Sequence, residues 1–190
     1  MKTMTKYKGI TLIELLISLS ILAMLIAIVL PNYGAFLAKQ RANNEIRQLQ
    51  RLLLLARNHA IHNENFVTVC PLDNTGECQS EWHKALYAFH DFNKNKRLER
   101  EQGEYMIKQK APIPTIDTLR YAAGRTALVY GPTGRLVVWG GNGTFKYCPG
   151  DYESLARGII VSVTGKSYLT YDIDNDGQEE NRRYAHIVCS

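Results

Sequence analysis

A predominantly apolar run extends from Ile10 to Leu30 and contains a single ionisable side chain, Glu14. As a helix, these 21 residues would measure about 30 Å, which matches the hydrocarbon core of a bilayer. A leader with three lysines precedes the run, and basic residues at this position favour a cytoplasmic leader. We therefore predict that residues 10–33 span a membrane and that the rest of the chain lies outside the cytoplasm.

Glu14 lies near the start of this run. A carboxylate in hydrocarbon is costly, so an acidic residue at this position is expected to have a function. The run itself contains no basic residue. We therefore expect Glu14 to find a partner of opposite charge elsewhere.

The net charge of +5 gives little support for a nucleic-acid partner, because part of it resides in the leader. Without the three lysines of residues 1–9, 20 basic and 18 acidic residues remain, which is a net charge of +2. The charges are unevenly distributed along the chain. Residues 39–57 are basic, and residues 172–180 hold five acidic side chains.

The chain has four cysteines, and an even number in a domain outside the cytoplasm favours disulfides. Four cysteines allow three connectivities. We favour Cys70–Cys78, which closes the turn-rich loop CPLDNTGEC, together with Cys148–Cys189, which ties a strand to the C-terminus. The spacings typical of zinc sites are absent.

A helical periodicity continues beyond the apolar run. Pro31 and Gly34 interrupt it, and we expect a kink at these residues rather than the end of the helix. Apolar residues then recur at alternating spacings of four and three, which is typical of one helical face. This face consists of Ala42, Ile46, Leu49, Leu53, Ala56 and Ala60. We predict one long helix from about Ile10 to His62, with its second half packed on a globular domain.

From Phe66 onward the pattern is that of short strands separated by turns. β-Branched and aromatic residues alternate in several runs, as in half-buried antiparallel strands. The runs are FVTVC, KALYAFHDF, ALVYG, RLVVWG, TFKYC, GIIVSVT, SYLTYDI and YAHIVC. We predict an α+β fold with antiparallel strands, and a surface loop with one irregular strand over residues 93–120.

The residues GITLIELL resemble the processing motif of type IV prepilins, in which a basic leader ends in glycine and the fifth mature residue is glutamate. The resemblance implies that a prepilin peptidase cleaves between Gly9 and Ile10 and methylates the new amino group of Ile10, where most relatives have phenylalanine. It also implies that Glu14 pairs with this amine in a neighbouring subunit. A secretory signal peptide is the alternative, but the run is too long, contains an acid and lacks a small-residue cleavage site.

A second resemblance covers most of residues 55–166. The blocks RNHAIHNENFVTVCP, LYAFHDFNKNKRLE, ALVYGPTGRL, NGTFKYC and RGIIVSVTGK resemble, in this order, those of the GspH/FimT/FimU family. Members of this family are minor pilins of type IV pili and minor pseudopilins of type II secretion systems. The cysteine-bearing blocks and the acidic stretch DIDNDG favour the type IV pilus branch.

The resemblance implies the type IV pilin fold, in which a long N-terminal helix packs on antiparallel sheets. The implied parts are a leader (1–9), a membrane and filament-core helix (10–33) and a periplasmic globular domain (34–190) that includes the second half of the helix. The implied function is a structural subunit that initiates or enters the pilus, first in the inner membrane and then on the cell surface. Its implied partners are the prepilin peptidase, the major pilin and other minor pilins. A type II secretion pseudopilin and a DNA-binding minor pilin for natural transformation are the alternatives.

The stretch DIDNDGQEENRR contains the start of a calcium-binding loop, with Asp172, Asp174 and Asp176 as candidate ligands. An EF-hand requires a glutamate at the twelfth position, where this chain has Arg183. A solvated acidic hairpin is the alternative, because NDG suits a type I′ turn. We expect no cofactor and no metal, with calcium at the three aspartates as the alternative.

Some members of the family bind DNA through a basic C-terminal G-R-x-R motif. The corresponding residues 165–168 contain one basic side chain, Lys166, and the acidic run follows them. Phosphate binding requires several accessible cations, so this difference argues against DNA. The residues that could form a patch with Lys166 are Arg125, Arg135, Arg182 and Arg183.

We expect no enzymatic activity and no catalytic residue. The five histidines show no metal-ligand spacing with a carboxylate. No nucleophile motif such as G-x-S-x-G occurs in the sequence.

Overall fold

The structure is a computed structural model that describes residues 9–137 and 141–189. Residues 1–8 of the predicted leader and the end of the run RLVVWG lie outside the described residues. The chain divides into two compact units, one up to Leu37 and one from Ala38 onward. The predicted boundary between residues 33 and 34 lies a few residues before this division.

One long helix, α1, runs from Leu12 to His62. It begins two residues after the predicted start and continues through Pro31 and Gly34. The kink at these two residues stays a prediction. Within residues 9–137 and 141–189, no helix is both long and apolar enough to cross a membrane.

Eight strands in the described residues form two four-stranded antiparallel sheets. The first sheet has the order β3-β2-β1-β5 and the second has the order β4-β6-β7-β8. Two short 3₁₀ helices cover Arg100–Gln102 and Glu153–Leu155. The strands are β1 (Val67–Pro71), β2 (Leu86–His90), β3 (Met106–Lys110), β4 (Thr118–Arg120), β5 (Leu128–Tyr130), β6 (Gly143–Cys148), β7 (Arg157–Val161) and β8 (Ser167–Leu169).

The apolar face of α1 packs against both sheets and forms the core of the second unit. All six residues predicted for this face are at most 4% exposed, which confirms the amphipathic pattern. Val69 of β1 and Phe145 and Ile159 of the second sheet belong to the same buried cluster. Each large apolar side chain buried in this way contributes about 1.5–3 kcal/mol. The helix is therefore the element that holds the two sheets together.

Strand β1 is buried along its whole length because both of its faces are covered. Val67 and Val69 contribute to the cluster under α1. Cys70 belongs to a second cluster with Cys78 and Phe89. A strand covered on both faces needs no polar side, which explains the nearly continuous apolar run FVTVC.

The prediction for residues 93–120 was wrong, because this segment holds two strands, β3 and β4. Strand β3 lies at a sheet edge, and most of its side chains are exposed. In β4 only Leu119 is buried. Polar edge strands lack the apolar alternation by which strands are recognised. The run YAHIVC, by contrast, forms only an isolated bridge between Glu180 and His186.

The structure contains two disulfides, Cys70–Cys78 and Cys148–Cys189, which is the pairing favoured above. The first closes the loop that follows β1. The second joins the end of β6 to the C-terminal segment, where Ala156 and Ile187 pack beside it.

We expect the Cys148–Cys189 disulfide to stabilise the protein more than Cys70–Cys78, because it closes the longer loop. The sequence separations are 41 and 8 residues. Loop-closure entropy for these lengths corresponds to about 3.9 and 2.5 kcal/mol. Denaturant unfolding of the two double Cys→Ala variants measures the difference, with the reduced wild type as control. Equal losses in the two variants would contradict the loop-length explanation.

Candidate functional site

The predicted processing site lies immediately before α1. Gly9 and Ile10 are outside the helix, and Ile10 is 79% exposed. The peptide bond between them is therefore not protected by secondary structure or by burial. Cleavage and methylation at this bond stay predictions.

Glu14 forms a capping box with Thr11 at the start of α1. Glu14 Oε2 accepts hydrogen bonds from the backbone N–H of Thr11 at 2.8 Å and from its hydroxyl at 2.9 Å. In return, Thr11 Oγ1 accepts a hydrogen bond from the backbone N–H of Glu14 at 3.3 Å. This reciprocal arrangement satisfies donors that a helix start leaves free. Both donors are uncharged, so these contacts leave the negative charge of Glu14 uncompensated.

Apolar side chains surround the first turns of α1. Leu12, Ile13, Leu15, Leu16 and Ile17 are between 53% and 76% exposed. Because successive helical residues are separated by about 100°, these five side chains cover little more than half of the circumference, and the exposed Ile21 and Leu25 of the following turns cover the remaining side. A helix that is apolar all round is normally covered by lipid or by other helices.

A buried carboxylate connects α1 to the second sheet. Asp117 accepts hydrogen bonds from the Arg41 guanidinium at 2.6 and 3.1 Å, from the backbone N–H of Gly150 at 2.9 Å and from the Tyr147 hydroxyl. Burial raises the pKa of Asp117, but these hydrogen bonds and the charge of Arg41 outweigh burial and hold the pKa below its ordinary value. Burial and the Asp117 carboxylate raise the pKa of Tyr147. The group is thus a structural ion pair with a neutral tyrosine.

The five candidate DNA-contacting residues lie on several turns. Arg135 and Lys166 are exposed on two turns in direct contact, since a Cβ on Gly165 would lie 1.9 Å from the carbonyl oxygen of Gly134. The guanidinium of Arg182 lies 3.7 Å from the centre of the Tyr168 ring.

The remaining two candidates for DNA contact, Arg125 and Arg183, lie in two other turns. Arg125 is half-buried in the turn between β4 and β5, where its carbonyl accepts a hydrogen bond from the indole of Trp82. Arg183 is exposed in a turn close to the acidic run. The structure therefore brings two of the five candidates, Arg135 and Lys166, onto adjoining turns.

The acidic run forms a compact loop after β8. Gly177 N–H donates to Asp172 Oδ2 at 3.0 Å, and Asp176 N–H donates to Asp174 Oδ1 at 3.2 Å. Gln178 N–H donates to Asp176 Oδ1 at 2.8 Å. Such side-chain contacts to the backbone stabilise tight turns.

Two of the three predicted calcium ligands converge with two further side chains. One ligand atom from each of four residues lies within 4.8 Å of the others. This carboxylate–imidazole cluster consists of Asp174, Asp176, Glu180 and His186. The third predicted ligand, Asp172, is not part of it. Glu180 and His186 were not predicted because the loop doubles back, so their proximity leaves no short spacing in the sequence.

The fold and the N-terminal segment define the class of the protein. A helix that is apolar at its start and amphipathic later, packed on antiparallel sheets and preceded by the glycine-ended leader motif, is the architecture of pilin-like subunits. Residues 45–165 match the family described as type II transport protein GspH, and residues 4–30 match the prokaryotic N-terminal methylation motif. The chain belongs to the GspH family, whose members are structural pilins and pseudopilins.

Solved structures of a minor pilin show the same fold. The type IV minor pilin FimU of Pseudomonas aeruginosa is similar with a TM-score of 0.56 and 16% identity, over 72% of this chain and 92% of that chain. A second crystal form of FimU gives a TM-score of 0.50 and 17% identity, over 66% and 89% of the two chains. The minor pseudopilin EpsH from the type II secretion system of Vibrio cholerae gives a TM-score of 0.48 and 16% identity, over 68% of this chain and 95% of that chain. None of the curated proteins compared matches the chain. The predicted pilin fold is confirmed.

Proposed function

We propose that this chain is a minor pilin that enters the type IV pilus or the complex that initiates it. The observation that carries the proposal is the start of α1, which is apolar all round and has one uncompensated carboxylate, Glu14. Packing against equivalent helices of other pilins would cover the apolar side chains. Cleavage after Gly9 would create an amine on Ile10, and this amine of a neighbouring subunit would neutralise Glu14.

We infer that the prepilin peptidase acts on the bond between Gly9 and Ile10. Before assembly, residues 10–33 would lie in the inner membrane and the globular domain in the periplasm. The match to the N-terminal methylation motif over residues 4–30 supports this location. The two disulfides support it as well, because disulfides persist in oxidising compartments.

The pilus and the secretion system are distinguished by where the mature chain accumulates. The similarity to FimU, described as a type IV minor pilin, supports the pilus. The description of the family as a type II transport protein supports a pseudopilin as the second candidate. Filaments sheared from cells of the native host, with and without genes for the secretion pseudopilus, provide the test. Recovery of the chain in sheared pili of both strains supports the pilus. Absence of the chain from the sheared filaments of the strain that lacks the pseudopilus genes supports the second candidate.

We expect the chain not to bind duplex DNA in a salt-dependent manner. Arg135 and Lys166 lie on adjoining turns, whereas Arg182 and Arg183 follow the acidic run closely in the sequence, so nearby carboxylates oppose phosphate binding at these two residues. Titration of the full chain in detergent with duplex DNA at two salt concentrations measures this. Micromolar binding that weakens steeply with salt would require several phosphate contacts. Such binding, reduced in Arg135→Ala and Lys166→Ala variants, would make the DNA receptor the leading interpretation.

A further inference from the structure

The carboxylate–imidazole cluster has the composition and the geometry of a metal site. We propose that this cluster binds one divalent transition-metal ion, with zinc as the representative ion. The proposal concerns the loop after β8 and is independent of whether the chain serves a pilus or a secretion system. It also differs from the calcium loop expected from the sequence, because two of the four ligands are new and Asp172 is absent.

The carboxylate of Glu180 indicates a bound cation, because one of its two oxygen atoms accepts no hydrogen bond. The residue is 3% exposed, and its Oε2 accepts a hydrogen bond from the backbone N–H of Ile173 at 2.6 Å. Among the residues that the structure describes, Oε1 has no hydrogen-bond partner. It lies 3.3 Å from Nε2 of His186, in a geometry that is not a hydrogen bond. An unsatisfied buried carboxylate oxygen is costly, and a bound cation would satisfy it.

The spacing of the ligand atoms fits a small tetrahedral ion. His186 Nε2 lies 3.2 Å from Asp176 Oδ2 and 3.3 Å from Glu180 Oε1. Around a zinc ion with bonds of about 2.0–2.1 Å, neighbouring ligand atoms of a tetrahedron are about 3.3 Å apart. Two of the six distances between the four ligand atoms therefore match this spacing already, and the other four are at most 4.8 Å. Asp174 is exposed, so its carboxylate can complete the tetrahedron by a small movement.

The surrounding contacts hold the ligands in place. The salt bridge from Arg157 to Glu179, at 3.1 Å, fixes the residue before Glu180. The backbone N–H of Ile187 donates to the carbonyl of Glu179 at 2.8 Å, so the residue after His186 is fixed to the same segment. The Cys148–Cys189 disulfide then anchors the end of this segment. Such outer contacts orient metal ligands before the ion binds.

The ligand chemistry favours zinc over calcium. Calcium takes six to eight oxygen ligands, whereas the cluster offers four groups, one of which is the imidazole of His186. Imidazole nitrogen suits zinc, copper and nickel, and four nitrogen or oxygen ligands suit tetrahedral zinc. Three carboxylates also provide enough negative charge to attract a divalent cation.

Titration of the untagged full chain in detergent with zinc, with the heat of binding measured by calorimetry, tests the proposal. We expect one zinc ion per chain in the wild type. Glu180→Gln keeps the acceptor for Ile173 but loses the charge, and His186→Ala loses the imidazole. Each is expected to weaken zinc binding by more than about 100-fold, since changes outside the ligand set already cost 10–100-fold.

Two control variants separate the cluster from other zinc-binding groups. Asp172→Asn tests the calcium-loop alternative, and His83→Ala removes an exposed imidazole far from the loop in sequence. Both are expected to bind zinc like the wild type. A wild type that binds no zinc would overturn the proposal, as would unchanged zinc binding by His186→Ala or dependence of the bound ion on Asp172.

Thermal unfolding shows whether each variant is folded before zinc is added. The His186 side chain is 40% exposed, so its replacement is expected to leave the protein folded in the absence of zinc. Zinc should raise the Tm of the wild type and of both controls, because an ion that binds only the folded state stabilises it. The Tm of His186→Ala should not change on addition of zinc. An equal rise in this variant would refute the assignment of the imidazole as a ligand.

Discussion

Replacement of Glu14 by glutamine is expected to reduce incorporation of the chain into sheared filaments to less than about a tenth of the wild-type level, because a buried charge without its partner is strongly unfavourable. Glutamine keeps the oxygen that Thr11 needs in the capping box, but it has no charge. It therefore cannot neutralise the amine of Ile10 in a neighbouring subunit. Glu14→Ala should have the same effect, and cleavage of the leader should proceed in both variants.

Thr11→Ala is the matched control for the two Glu14 variants. It removes the hydroxyl from the capping box, at a cost of about 1 kcal/mol to the helix start, and leaves the carboxylate in place. We expect this variant to enter filaments. Immunoblots of sheared filaments measure incorporation, and the mass of the mature chain reports cleavage. Wild-type incorporation of Glu14→Gln would show that assembly does not depend on this charge.

Helix α1 and the core were predictable because they depend on local periodicity. Spacings of four and three between Ala42 and Ala60 place six apolar side chains on one face, and burial on both sheets follows from that face. The strands in the core were recognisable for the same reason. Only one irregular strand was predicted in the segment that holds β3 and β4, because their neighbours in the fold, rather than their own apolar pattern, make them strands.

The candidate sites were predictable where the signal lies within a few residues. Glu14 was identified from its position in the apolar run, and the Thr-x-x-Glu pattern of TLIE would also have predicted its capping box with Thr11. The contact of Glu180 with His186 could not be predicted. It depends on a loop without regular strands, which isolated backbone bridges hold together.

The pair of Asp117 and Arg41 is expected to be one of the largest single contributions to stability. Asp117 is completely buried, and Arg41 is the residue of α1 that binds it. Asp117→Ala leaves Tyr147 and the backbone of Gly150 without an acceptor and Arg41 without its counter-charge. Removal of one partner of a buried ion pair costs about 3–5 kcal/mol, a large part of the 5–15 kcal/mol that stabilises a typical domain. Denaturant unfolding should therefore show a much lower midpoint for this variant.

Glu81→Ala provides the control for a carboxylate in an exposed ion pair. Glu81 contacts Lys84 at 2.8 Å, and both side chains are about half exposed. Exposed pairs of this kind contribute little, so the midpoint should stay close to that of the wild type. A similar loss in the Glu81 and Asp117 variants would show that burial of the Asp117 pair is not what stabilises the fold.

The same pair predicts a dependence of stability on pH. The pKa of Asp117 is lower in the folded protein than the value of about 3.9 expected for an unfolded chain. The carboxylate therefore stabilises the fold fully above about pH 4, and this contribution is lost as the pH falls through the folded pKa. Asp117→Asn has no ionisable group at this position, so the difference in unfolding free energy between the wild type and this variant should shrink below about pH 4. A difference that stays constant between neutral pH and pH 2 would show that the charge of Asp117 does not contribute, and that its hydrogen bonds alone hold α1 to the second sheet.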